Sequence, residues 1–199
     1  MGWEAATTTR VRDGNRTVLL VVDMQVGVLN EAWDAPRIIS NVARLVERAR
    51  EQGAPVIWVQ HSDQELVYGS PEWMFVNELT PLQNEPVIHK RFNSSFEETS
   101  LEEELERFGA THIVLAEAAT NWCIRATAYG ALERGYDLTL VKDGHTTGAI
   151  ELGDGTRIEA KDIIQELNVA MTWVSYPGRS NGTAAAVEVE FANPGAARK

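Results

Sequence analysis

Short unbroken apolar runs alternate along the chain with longer stretches whose apolar residues recur at helical spacing. Thr17 to Val22 (TVLLVV) is a β-branched and leucine run ending at Asp23, the pattern of a strand covered on both faces. From Pro36 onward, Ile38, Ile39, Val42, Leu45, Val46 and Ala49 keep to one helical face, with Gly53 beyond its end. Pro55 to Gln60 (PVIWVQ) predicts a second strand. Periodicity fades between His61 and Pro86, where Pro71, Pro81 and bulky Tyr68, Trp73 and Phe75 predict a long loop of the kind that covers a site. A short third strand, about Val87 to His89, reaches Lys90. Ser100 and Glu103 form a capping-box pattern before a short helix that stops at Gly109. Thr111 to Ala116 predicts a fourth strand, about Asn121 to Arg134 a helix, Tyr136 to Lys142 a fifth strand, and Thr156 to about Trp173 a last helix. Gly144 to Gly155 reads as loop, and Val187, Val189 and Phe191 alternate like a final, half-exposed strand.

Strands alternating with helices predict one α/β domain over residues 17–191. Its expected form is a Rossmann-like three-layer α-β-α sandwich on a six-stranded, mainly parallel sheet, with ligands bound beyond the carboxyl ends of the strands. Residues 1–16 and 192–199 are expected to be flexible ends. The formal net charge is -11 and the lysines and arginines form no stripe, which argues against a nucleic-acid partner. No apolar run approaches the roughly 18 residues that cross a bilayer, and the first residues hold no apolar export segment, so no membrane partner and a cytoplasmic location are expected. Cys123 is the chain's single cysteine, which excludes an intramolecular disulfide and a Cys-rich zinc cluster. It is either a buried structural thiol or a reactive one.

Asp23 ends the first predicted strand, Lys90 ends the third, and Cys123 follows the fourth at the start of a helix, so one rim of the sheet gathers all three. A helix N-terminus lowers a thiol's pKa, and its free N–H groups can receive an oxyanion. A carboxylate in reach can take the thiol proton and pass it to a leaving amine, while an ammonium holds that carboxylate in place. Each residue also has a plainer role: a small buried hydrophobe for Cys123, a turn or cap for Asp23, a solvated cation for Lys90. His61, Asp63 and His145 are possible metal ligands at the same rim. They lack a helical His pair and a fixed ligand spacing, so no metal and no cofactor is expected. Arg125 could anchor a substrate carboxylate, but a solvated helix position is preferred. Trp33, Trp58 and Trp173 are read as core or subunit-interface residues.

Three segments, TVLLVVDMQVGVL, HKRFNSSFEETSLEEEL and AEAATNWCI, resemble in order the motifs of the isochorismatase-like cysteine hydrolase superfamily, and the ending with PGR and VEVEF extends the likeness to Thr17–Phe191. The resemblance implies Asp23 as acid and base, Lys90 as the catalytic lysine with Ser94 and Phe96 later in its motif, and Cys123 as nucleophile. It also implies a cis peptide between Ala118 and Ala119, an oxyanion hole from the backbone at Ala119 and Cys123, and a homo-oligomer, dimer or tetramer. Glu117 departs from the pattern, standing where many members have Gly. Isochorismatases proper generally lack the cysteine. Cys123 therefore favours the nicotinamidase and N-carbamoylsarcosine amidohydrolase-like branch, in which an amide, lactam or carbamoyl bond of a small molecule is cleaved through a thioacyl intermediate. Nicotinamidases bind a metal through an Asp-x-His pair after strand two, where this chain reads VQHSDQ. Gln25, Phe96, Asn121 and Trp122 are candidate substrate-binding residues overlooking the rim. Two alternatives remain: vinyl ether hydrolysis with Asp23 alone as acid, and a binding module in which Cys123 is structural.

Overall fold

The computed structural model describes residues 12–191. The expected flexible ends lie outside the described residues over 1–11 and 192–199. Of the rest of the N-terminal segment, Arg12 donates to the Arg134 carbonyl at 2.7 Å and to Glu106 at 2.7 Å, and Arg16 already belongs to the first strand.

Six strands form one sheet in the order β3-β2-β1-β4-β5-β8. They are β1 (Arg16–Val22), β2 (Val56–His61), β3 (Val87–Lys90), β4 (Ala110–Ala118), β5 (Asp137–Thr146) and β8 (Asn181–Ala184). All five pairings are parallel, so the sheet is parallel throughout rather than mainly so. An antiparallel pair, β6 (Ile150–Glu151) with β7 (Arg157–Ile158), lies apart from it.

The continuous apolar run of β1 is explained by its central place. Val18, Leu20 and Val22 face one core layer, Leu19 and Val21 the other, and all are fully buried. On the first face pack α3 (Leu101–Arg107) through Leu101 and Leu105, α4 (Arg125–Glu133) through Ala128, Ala131 and Leu132, and α5 (Ala160–Trp173) through Leu167 and Met171. The other face is covered by α2 (Ala35–Glu51), whose Ile38, Val42, Leu45, Val46 and Ala49 are the stripe expected from their spacing. Pro36 sits in its first turn. A short α1 (Val26–Leu29) follows β1.

Three expectations are corrected. The last strand of the sheet is Asn181–Ala184, not Val187–Phe191. Val189 and Phe191 are buried and Val187 exposed, but this segment lies on the α2 layer, its carbonyls at 187 and 189 accepting from Arg48 and its Phe191 N–H donating to Gln52. Alternating burial arises there from packing on a helix, without a strand partner. Ser100 makes no side-chain cap to α3. Thr99 serves locally instead, accepting from Leu101 N–H at 3.3 Å and donating to the Ser95 carbonyl at 2.5 Å. Finally, β5 runs on to Thr146 through a register shift against β4 between Leu115 and Glu117, an irregularity that polar residues 142–146 gave no sign of.

Candidate active site

The carboxyl ends of β1, β3 and β4 bring the three expected side chains together. Asp23 follows β1 directly, its N–H donating to the Val59 carbonyl of β2 at 2.9 Å. Its backbone is left-handed, with φ +53°, a conformation that costs a non-glycine residue roughly 1–3 kcal/mol and is kept where surrounding structure enforces it. Lys90 is the last residue of β3 and has its Nζ 2.6 Å from Asp23 Oδ2. The same ammonium donates to Cys123 Sγ at 3.1 Å and to the Phe92 carbonyl at 3.3 Å, so its three hydrogens are all used. Cys123 lies in a π-helical turn, Thr120–Ile124, that leads into α4, and the Ala118–Ala119 peptide preceding that turn is cis.

Glu117 joins this cluster from β4. Carboxylate oxygens of Asp23 and Glu117 and Cys123 Sγ lie within 4.8 Å of one another. Glu117 is fully buried and neither of its oxygens has a hydrogen-bond partner; Asp23 Oδ1 also lacks one. Sequence reasoning noted Glu117 only as a departure from glycine. The signal it passed over is a charged residue inside the apolar run IVLAEA of a central strand.

Burial dominates the electrostatics. Loss of hydration raises the Asp23 carboxyl, and Lys90, through charge and hydrogen bond, only partly offsets it. Glu117 is raised further, by burial first and then by the Asp23 charge. For Lys90 burial disfavours the charge, but Asp23, Cys123 and Glu117 together outweigh it and keep the ammonium protonated. The Cys123 thiol is pushed up by burial and then by Asp23 against the help of Lys90. Burial thus acts against the lowering of the thiol expected from a helix N-terminus.

Gln25 and Phe96 have places other than those expected. Gln25 is fully buried and spent within the protein. It donates to the His61 carbonyl at 3.0 Å and the Trp73 carbonyl at 2.7 Å and accepts from His61 N–H at 2.8 Å, tying β1 to β2 and the covering loop rather than facing substrate. Phe96 is likewise a core residue, stacked on Tyr136 with Arg134 over its ring. Asn121 accepts from the Thr147 hydroxyl at 2.6 Å, and Trp122 is 59% exposed. Arg125 pairs with Glu166 of α5. Trp58 is core and donates to Glu85, but Trp33 is partly exposed and Trp173 is 84% exposed.

The suggested metal ligands do not gather. His61 Nε2 lies 3.0 Å from Asp63 Oδ2, whereas His145 is buried elsewhere, its Nε2–H donating to Asn168 Oδ1 at 3.0 Å and its Nδ1 accepting from Thr120 at 2.9 Å. Among the described residues the one metal-capable trio is Asp23, Glu117 and Cys123. There Lys90 already holds the cation position against two of the three, and a divalent ion would sit beside a fixed ammonium, so these residues do not fit a metal centre.

His145 supplies a testable pH dependence. Burial pulls it down to about 4, against the opposing effect of Asn168. A base lowered on folding stabilises above its unfolded value near 6.5 and loses that contribution as pH falls toward 4. Denaturant midpoints are expected to drop between pH 7 and pH 4.5, with a shallower drop in His145→Gln; equal slopes in the two proteins would remove His145 as the cause.

A parallel α/β sheet with a thiol, a carboxylate and an ammonium gathered beyond its strand ends defines a class of α/β proteins with a polar cluster at the carboxyl edge. Residues 17–172 match the Isochorismatase domain, and the chain belongs to the isochorismatase family. It is 31% identical over 147 residues to an uncharacterized isochorismatase family protein of Bacillus subtilis, covering 69% of this chain and 82% of that one. It is also 31% identical over 163 residues to a streptothricin hydrolase of Streptomyces noursei, covering 77% of this chain and 64% of that protein, and 28% identical to a maleamate amidohydrolase of Pseudomonas putida, covering 67% and 74%. The crystal structure of an isochorismatase from Pseudomonas putida superposes with a TM-score of 0.79 at 26% identity, covering 88% of this chain and 90% of that one.

Proposed function

We propose that this protein hydrolyses a carbon–nitrogen bond of a small amide, lactam or carbamoyl compound through a thioacyl intermediate on Cys123. The observation that carries this reading is the single ammonium of Lys90, which touches both Asp23, at 2.6 Å, and Cys123 Sγ, at 3.1 Å, in one buried cluster. The names of the streptothricin hydrolase and maleamate amidohydrolase relatives support hydrolysis of amide-type substrates.

In the first step the thiol attacks the carbonyl carbon while Asp23 takes its proton, and Lys90 offsets the charge on sulfur and carboxylate. The tetrahedral oxyanion is received by backbone N–H groups at Ala119 and Cys123. Collapse breaks the C–N bond, and Asp23 returns the proton to the leaving nitrogen. Water, deprotonated by Asp23, then attacks the thioester, releasing the acid and restoring the thiol. No step requires a metal or cofactor.

A screen of small amides, lactams and ureido compounds for ammonia or amine release tests the proposal. Release is expected to persist after dialysis against a strong chelator. Activity that vanishes on chelation and returns with zinc or iron would replace this scheme with a metal-dependent one. A second reading, vinyl ether cleavage by Asp23 as acid, draws support from the upward shift of Asp23, which favours a proton-bearing carboxyl.

A further inference from the structure

At the opposite edge of the sheet from Cys123, a cavity of about 320 Å³ opens among the amino ends of the strands. It lies between Arg16 at the start of β1, residues 53–56 leading into β2, the segment 82–85 before β3, and Phe108 just before β4. That volume is within the range of small-molecule sites. β1 is 7 residues long, so the cavity lies about 20 Å from Asp23, and it shares no lining residue with the hydrolytic cluster. Two guanidiniums, Arg16 and Arg50, line it against one carboxylate, Glu85, an excess of one positive charge in a chain whose formal charge is -11. Glu85 is already paired. Arg50 donates through Nε to its Oε1 and through Nη2 to its Oε2, both at 2.8 Å, and Trp58 Nε1 and Leu82 N–H donate to the same Oε2 at 2.7 and 2.9 Å. These contacts fix the Arg50 guanidinium and leave its Nη1 hydrogens without a partner among the described residues. The Arg16 side chain is exposed and makes no hydrogen bond or ion pair among the described residues. Pro55, Leu82 and Phe108 supply an apolar wall.

We propose that this cavity is a second small-molecule site, one that binds a carboxylate carried on a small apolar or aromatic body. The free donors are guanidinium N–H groups, whose planar fork matches the two oxygens of a carboxylate. Charge balance points the same way. Arg50 already offsets Glu85, so Arg16 is the unbalanced cation, and one carboxylate brings the lining to neutrality. A phosphate dianion would leave one negative charge over and would gain nothing from the wall of Pro55, Leu82 and Phe108. An apolar body covers that wall and takes its carbon surface out of water. A cation meets Arg16 with no free carboxylate to receive it. The proposal is independent of the hydrolase reading, since no atom of the cavity takes part in that chemistry.

Amide NMR titrations of the isotope-labelled full chain at pH 7 test this with three probes: benzoate, benzamide as its uncharged counterpart, and inorganic phosphate as an anion without an apolar body. Benzoate is expected to shift the signals of Gly53, Ala54, Val56 and Asn84 saturably, with a Kd of about 5 mM or tighter for so small a ligand. Benzamide and phosphate are each expected to bind there at least about fivefold more weakly. Arg16→Gln should weaken benzoate by at least about fivefold. Arg16 has no side-chain partner to lose among the described residues, so that variant should keep the wild-type melting temperature within about 2 °C. A benzoate Kd unchanged in Arg16→Gln overturns the proposal, and so does benzamide binding as tightly as benzoate. Phosphate binding as tightly would make the cavity an unselective anion patch and overturn the ligand class. Benzoate shifts confined to residues 119–124 would place the probe at the Cys123 site instead, and no saturable shift at 53–56 would leave the cavity without a ligand of this kind; either result overturns the proposal while leaving the hydrolase reading untouched.

Discussion

Replacing Cys123 by alanine is expected to lower turnover of an amide substrate by at least about 10⁴-fold, because in the proposed mechanism loss of the nucleophile removes the acyl intermediate and leaves only binding and oxyanion contacts to assist water. The fold should persist. Alanine vacates little more volume than a methyl group, which costs about 1 kcal/mol in a packed interior, and Lys90 keeps its contact with Asp23. Two measurements check this. Intact-mass spectrometry under turnover should show an acyl adduct on the wild type and none on the variant, and steady-state rates should differ by the stated factor. A folded Cys123→Ala protein that retains turnover would point to Asp23 acting alone, as in vinyl ether cleavage.

The second large effect belongs to Asp23. Asp23→Asn keeps the shape of the side chain but cannot move a proton, a contribution of about 10² to 10⁴ in rate. In the proposed mechanism both acylation and deacylation use this group, so turnover should fall by at least that range with substrate binding little changed. Stability should respond too. Asp23 and Lys90 are almost wholly buried, and removing one partner of a buried pair costs about 3–5 kcal/mol when nothing replaces the lost charge. Here Glu117 lies within 4.8 Å of Asp23 and can ionise in its place, so the single variant should lose less than that. The double variant Asp23→Asn/Glu117→Gln should show the full loss, which makes the pair non-additive in a denaturant cycle at pH 7. A folded Asp23→Asn protein turning over within a few-fold of wild type would reduce Asp23 to a strand-end turn residue.

Local pattern was enough to locate most elements and the three residues they carry. TVLLVV could only be satisfied by burial on two faces, which made β1 central and put Asp23 at a strand end. The same reasoning placed Lys90 at the end of β3 and Cys123 just past β4, because the carboxyl ends of parallel strands share one edge. The spacing of Ile38 to Ala49 likewise gave α2 and its buried face.

Other features depend on contacts between distant segments, about which local pattern says nothing. The final strand was misplaced because Val187, Val189 and Phe191 alternate whether their partner is a sheet or the α2 layer, whereas the sequence NGTA of β8 carries little strand propensity and is held by pairing with β5. Gln25 and Phe96 looked available for substrate because their types suit a binding site, but tertiary packing commits one to three backbone bonds and the other to Tyr136. The sequence by itself determined the parallel α/β frame and the convergence of Asp23, Lys90 and Cys123, since both follow from burial periodicity and strand direction. Only the tertiary structure decided how deeply the titratable groups of the site are buried. The thiol expected to be activated by a helix end is instead raised, and Glu117 becomes a buried, unpartnered acid, because hydration lost to surrounding segments outweighs the local dipole.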